Sequence, residues 1–211
     1  METLSSWIGM AGTVAFAVTA VLALAPRGID LFGACVMGII TAIGGGTVRD
    51  LILNVPVFWS TDLNYIWVAL GASIAAFAAH PLFTRKKIYS LMLYVDGFGV
   101  ALFAIQAVDK VWGRGFGLPL APAILGIVTA IGGGLIRDVL AGRQTLLMSR
   151  ELYAIPVLFG CALYVALMYL LPEYRFICAV GCLTCIFAIR AAAIHWQLHV
   201  PECLTMRVKT E

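Results

Sequence analysis

The sequence predicts an all-α integral membrane protein with seven transmembrane helices, built as an inverted repeat of three plus three helices and a seventh helix. Of its 211 residues, 62% are hydrophobic and only 12% are charged, whereas soluble domains carry about 25% charged residues. Apolar runs of roughly 20 residues, the length of a membrane-spanning helix, follow one another along the chain. The segment Thr-Ala-Ile-Gly-Gly-Gly occurs at residues 41–46 and again at 129–134, and each copy is followed two residues later by Arg-Asp.

The apolar runs define seven predicted spans. The second and the fifth contain the triple glycines, and we expect both helices to be broken there, because each Gly costs about 1 kcal/mol of helix propensity relative to Ala. The spans are residues 7–25, 31–53, 63–83, 88–108, 118–141, 152–171 and 174–193.

The internal repeat extends beyond the glycine segments. Residues 12–17 align with 99–104 at an offset of 87, and Tyr65 aligns with Tyr153 at an offset of 88. Spans one to three therefore match spans four to six. Because three is an odd number, the second copy enters the membrane from the opposite side, as in inverted-topology repeats. The predicted units are a first three-helix repeat (1–87), a second, inverted repeat (88–172), a seventh transmembrane helix (173–195) and a cytoplasmic tail (196–211).

The distribution of basic residues predicts the orientation. With seven spans, most Lys and Arg residues, including Arg85, Lys86 and Lys87, fall on the side of the C-terminus. The positive-inside rule then places the C-terminus in the cytoplasm and the N-terminus outside.

The two broken helices are the predicted ion path. An unwound turn at membrane depth is tolerated only where protein or a watery cavity surrounds it. Its carbonyls could bind a monovalent cation, K⁺ or Na⁺, and Thr41 and Thr129, one turn earlier, could add hydroxyl oxygens. The alternative is close helix packing, for which small residues are common in membranes. The predicted kink residues are Gly44, Gly45, Gly46, Gly132, Gly133 and Gly134.

The charged pairs after the glycines need partners, because Arg or Asp at a helix centre costs about 2.5–3.5 kcal/mol on insertion scales. Neighbouring helical residues point about 100° apart. We therefore hypothesise a swap across the pseudo-two-fold axis, with Arg49 paired to Asp138 and Arg137 paired to Asp50. In the alternative, each pair reaches the nearest membrane surface.

Asp96 is a further carboxylate within a predicted span. Such residues are functional candidates by default, here as part of the ion path. The alternative is a residue near the start of its helix, stabilised by the positive helix end.

Other functional classes are poorly supported. No Ser-His-Asp order and no phosphate-cradling loop point to an enzyme, and no basic face interleaved with aromatics points to nucleic acid. We expect no cofactor and no transition-metal site. Cys178, Cys182 and Cys185 are expected to be packing residues, and His195 and His199 to belong to a solvated tail.

These motifs resemble the trimeric intracellular cation (TRIC) channel family, in its prokaryotic branch, which is also catalogued as a glycine-transporter-like domain of two repeats. The resemblance rests on the doubled glycine segment with its Arg-Asp pairs, on Asp96-Gly97-x-Gly99 and on the seven-span plan. It implies a homotrimer in the plasma membrane of a bacterium or archaeon, in contact with lipid. It also implies one pore per subunit around the two kinked helices and conduction of K⁺. The Lys-Glu-Val motif of animal members is absent from the sequence, so we do not expect phosphoinositide binding.

Two functions remain open from the sequence. One is a K⁺-permeable channel. The other is a secondary transporter of glycine or another small amino acid, in which a positive half-helix end would hold the carboxylate and Asp96 the ammonium group.

Overall fold

Eight α-helices make up the part of the chain that the computed structural model describes, residues 2–82, 85–149 and 151–198. His199 and the rest of the predicted tail lie outside the described residues. The helices are α1 (Glu2–Leu24), α2 (Leu31–Ile52), α3 (Phe58–Thr61), α4 (Asn64–Ala79), α5 (Arg85–Trp112), α6 (Leu120–Leu140), α7 (Ala154–Leu170) and α8 (Arg175–His195).

Six of these helices are long and apolar enough to cross a membrane, namely all but α3 and α7. Helix α7 is apolar but has 17 residues, so at 1.5 Å per residue it is about 25 Å long, slightly shorter than a typical hydrocarbon core of about 30 Å. Helix α3 is a single turn between α2 and α4. Each predicted span has its helix. The sixth span, 152–171, is met by the shorter α7, whereas the seventh, 174–193, is met by the full-length α8.

Helices α1 and α5 form the buried centre of the bundle. Helix α1 packs against α2 and α4, α5 packs in the same way against α6 and α7, and α8 lies against α5 and α7. The rings of Phe16 and Phe103 stack with centroids 5.3 Å apart and an interplanar angle of 9°. These two residues are equivalent in the repeat, so an approximate two-fold axis passes between them.

Helices α2 and α6 cross with their backbones in contact. A Cβ added at Gly45 would overlap the carbonyl oxygen of Thr129, and one added at Gly133 would overlap that of Thr41. The two contacts are reciprocal. From Thr41 to Gly45 along α2, the partner positions run backwards from Gly133 to Thr129. The helices are therefore antiparallel at the crossing, as an inverted repeat requires.

The predicted breaks at the triple glycines are wrong. Helix α2 runs without interruption from Leu31 to Ile52, and α6 from Leu120 to Leu140. The missing side chains serve the close approach of the two helices, and this contact offsets the low helix propensity of glycine. The cation site at the glycine carbonyls was inferred from a helix break. The site stays a prediction, but the helices do not have that break.

The crossing predicts a strong position dependence of glycine substitution. Gly45→Val should destabilise the fold, because the added side chain meets backbone, which cannot rotate away. Overpacking of this kind typically costs about 1–3 kcal/mol, or several degrees in unfolding temperature for a chain of this size. Thermal unfolding of the purified protein in detergent measures the change.

Gly71→Val is the matched control, because a Cβ at Gly71 in α4 would meet no atom within 4 Å. The two variants should differ clearly in unfolding temperature. Equal stability would contradict the backbone contact between α2 and α6.

Candidate functional site

A first charge cluster, consisting of Arg49, Asp50 and Lys110, lies where α2 ends. Asp50 Oδ1 accepts hydrogen bonds from Arg49 Nε at 2.8 Å and from Lys110 Nζ at 2.7 Å. Asp50 Oδ2 accepts from the backbone N–H of Phe58 at 2.9 Å. The Asp50 side chain is fully buried, whereas that of Lys110 is 25% exposed. Two cations therefore share one carboxylate.

A second charge cluster, consisting of Asp96, Arg137 and Asp138, lies where α6 ends. Arg137 Nε donates to Asp138 Oδ1 at 2.9 Å, and its Nη1 donates to Asp96 Oδ1 at 2.7 Å. The same Nη1 lies 3.0 Å from the hydroxyl oxygen of Thr19. All three charged side chains are buried. Here two carboxylates share one arginine.

The two clusters use the same local connection. Asp138 Oδ2 accepts from the backbone N–H of Leu146 at 3.2 Å, just as Asp50 does from that of Phe58. Phe58 begins α3 and Leu146 begins a 3₁₀ turn at the equivalent place. Each carboxylate thus satisfies an N–H at the start of the short helix that follows its own helix. This role explains why an aspartate follows each arginine.

The swapped pairing across the axis is wrong, because each arginine binds the aspartate next to it in sequence. The arginine side chain is long enough to fold sideways, so its Nε reaches a neighbour that points about 100° away. Antiparallel crossing also carries Arg49 and Arg137 to opposite ends of the crossing. The alternative of reaching the membrane surface fails too, since the two arginine side chains are 4% and 0% exposed.

The remaining predicted residues divide between the clusters and the crossing. Asp96 belongs to the second cluster. Thr41 and Thr129 lie at the crossing of α2 and α6, where their carbonyls meet the glycines. Thr129 Oγ1 donates to the carbonyl of Leu125 at 2.6 Å, and Thr41 Oγ1 is buried without a hydrogen-bond partner in the described part of the chain.

A cavity of about 250 Å³ adjoins the first cluster. A polar cavity of this size holds several water molecules. Among the predicted kink glycines, Gly46 alone contributes to its wall, and neither threonine does. The lining residues are Ser6, Gly46, Arg49, Phe58, Tyr65, Phe103, Gln106 and Lys110.

Two further buried polar side chains, those of Tyr153 and Arg190, lie beside the second cluster. Arg190 of α8 is fully buried, lies 4.8 Å above the ring of Tyr153 and donates to the carbonyl of Leu152 at 3.0 Å. Several buried polar atoms have no hydrogen-bond partner among the described residues, including Asp96 Oδ2, Arg137 Nη2 and Tyr153 Oη. Buried polar groups of this kind need a partner such as water, so this end of the bundle has a polar interior.

Sequence reasoning missed Lys110 and Thr19 as partners of these clusters, and Arg190 as a buried cation beside the second. The repeat held part of the signal, because at the offset of 87 Thr19 aligns with Gln106, and both lie beside an arginine cluster. Lys110 aligns with Ala23 at the same offset, and Arg190 lies in the seventh helix, outside both repeats, so no pattern marked either residue.

No group of three or more His, Cys, Asp or Glu residues that could hold a metal ion occurs in the described ranges. Cys178, Cys182 and Cys185 are free.

The chain is similar to several membrane proteins. The sequence profile of the family described as "Glycine transporter" matches residues 6–81 and 93–169. The UPF0126 inner membrane protein YadS of Escherichia coli is 33% identical over 197 residues, covering 92% of this chain and 94% of the relative. A UPF0126 membrane protein of Vibrio cholerae is 34% identical over 92% of this chain and 80% of its own length.

Solved structures extend the similarity to the whole bundle. The TRIC trimeric intracellular cation channel orthologue of Rhodobacter sphaeroides superposes with a TM-score of 0.87 at 31% identity, over 93% of this chain and 100% of the other. A second structure, of a TRIC cation channel whose conductance was studied, has a TM-score of 0.84 at 26% identity, over 98% of both chains. By sequence and by fold, this chain belongs to the glycine-transporter repeat family that includes the prokaryotic TRIC proteins.

Proposed function

We propose that the protein is a multi-pass channel for monovalent cations, K⁺ foremost, and that it acts as a homotrimer with one pore in each subunit. The similarity to a trimeric cation channel orthologue over nearly the whole chain supports this proposal. The six long apolar helices fit a chain embedded in membrane lipid. The N-terminus would lie outside and the C-terminus in the cytoplasm, as the basic residues indicate.

The cavity beside the first cluster is the proposed outer part of the pore, and it is the observation that carries the proposal. It reaches from Ser6 near the start of α1 to Gly46 at the crossing of α2 and α6. On the other side of the crossing, the second cluster occupies the corresponding position with buried side chains. We therefore infer that the described conformation is closed at the second cluster.

The cation in this pore would keep most of its water. The glycine turns are helical, so their carbonyls are not freed for direct coordination. A polar cavity of about 250 Å³ accommodates a hydrated ion instead. We propose that Thr41 and Thr129 act by holding the crossing and not as ion ligands.

The transporter alternative assigned the ammonium group of an amino acid to Asp96. Asp96 is instead bound to Arg137 at 2.7 Å and fully buried, and it is not part of the cavity wall. This geometry favours the channel.

Purified protein in a planar bilayer with a K⁺ gradient should give discrete unitary currents that reverse at the K⁺ equilibrium potential. A channel dissipates the gradient through an open path, whereas a transporter moves its substrate in single steps. Saturable glycine uptake into liposomes without unitary currents would overturn the proposal in favour of the transporter.

Asp96→Asn should raise the fraction of time that the channel is open. The substitution removes one of the two carboxylates on Arg137 while Asp138 still balances its charge, so the closed arrangement weakens. Single-channel recording measures the change.

Asp30→Asn is the control, since Asp30 is exposed and caps α2, a role that Asn fills equally well. An unchanged open probability in Asp96→Asn would show that the second cluster is not the constriction.

A further inference from the structure

The two charge clusters differ by one carboxylate. Arg137 binds Asp138 through Nε and Asp96 through Nη1. Arg49 makes the equivalent bond to Asp50 through Nε, and Asp50 is its one ion-pair partner in the described part of the chain. At the offset of 87 that relates α1 to α5, Gly9 stands where the second repeat has Asp96.

The structure supports this alignment independently. Phe16 and Phe103, related by the same offset, stack on each other across the pseudo-two-fold axis. A Cβ at Gly12 would meet the ring of Phe103, and a Cβ at Gly99, its equivalent, would meet the ring of Phe16. In the first repeat, the residue equivalent to Asp96 is therefore Gly9, which lies one turn before Gly12 on α1.

Gly9 faces the residues of the cavity. A Cβ there would lie 2.6 Å from Gln106 Nε2 and 2.7 Å from Tyr65 Oη, and both residues line the cavity. Arg49 and Lys110 line it as well, and among the described side chains they share one carboxylate partner, Asp50. The described wall thus carries a surplus positive charge, which favours an anion over a neutral molecule. An anion bound there would also neutralise the charge that otherwise opposes a cation in the same cavity.

We propose that this cavity binds a small carboxylate anion, which takes the place beside Arg49 that the Asp96 carboxylate takes beside Arg137. The planar guanidinium group matches a carboxylate with two parallel hydrogen bonds, and the Lys110 ammonium group completes the charge balance. The volume of about 250 Å³ limits the ligand to a few heavy atoms beyond the carboxylate. The binding site exists whether or not the chain conducts cations.

The test uses acetate and the unfolding temperature of the purified full chain in detergent. Potassium acetate is exchanged for potassium chloride at constant ionic strength, and acetamide serves as the neutral isostere. A ligand present at about 100 times its Kd shifts the unfolding temperature of a chain of this size by about 5–10 °C. We expect a saturable shift with acetate, above any effect of chloride, and none with acetamide.

Two variants locate the site. Gly9→Asp supplies the carboxylate from the chain itself, against the movable ends of Gln106 and Tyr65, and should abolish the acetate shift. Lys110→Gln should abolish or strongly weaken it while the Arg49–Asp50 pair remains. Lys87→Gln, an exposed lysine of α5 remote from the cavity, should leave the shift unchanged.

Equal shifts with acetate and chloride would overturn the assignment of a carboxylate site. An acetate shift that persists in Lys110→Gln would overturn its location, even if Gly9→Asp fails to fold. Because the measurement is of binding, its failure is separate from a failure to detect cation currents.

Discussion

The backbone contact between α2 and α6 is the constraint on which the other features depend. Because glycine has no Cβ, Gly45 can contact the carbonyl of Thr129 and Gly133 can contact that of Thr41. Because the helices cross antiparallel at this point, the arginine that follows each glycine segment is carried to the opposite end of the bundle. The crossing therefore separates the two charge clusters.

The two charge clusters differ where the two repeats depart from symmetry. Both aspartates satisfy the N–H group of a following short helix, so this part of each cluster is structural. What differs is added from elsewhere: Asp96 joins the second cluster, with Arg190 packed on Tyr153 beside it, and Lys110 joins the first. At one end of the bundle two carboxylates consequently share a buried arginine, whereas at the other end a cavity has surplus positive charge in its described wall.

The sequence was sufficient for the helices and the repeat, but not for the use of the glycines. Apolar length and the offsets of 87 and 88 predicted the helices and their equivalences. A break and a close crossing both require the absence of a Cβ, so the triple glycines could not distinguish them. The pairing of Arg49 with Asp50 depends on how a long side chain bends, which helical angles alone do not determine. Lys110 and Arg190 come from positions without a basic counterpart, so only packing reveals them.

The central claim, that cations pass through the cavity beside the first cluster, is tested most directly by cysteine modification during K⁺ recording. Ser6→Cys, at the cavity wall, is introduced into a chain in which the six native cysteines are replaced, and a positively charged methanethiosulfonate reagent is added. The current should fall, because the attached charge repels cations in a narrow cavity. Trp7→Cys is the control, because the Trp7 side chain is 70% exposed and is not part of the cavity wall. This variant should keep its current. An unchanged current after complete modification of Ser6→Cys would contradict the claim.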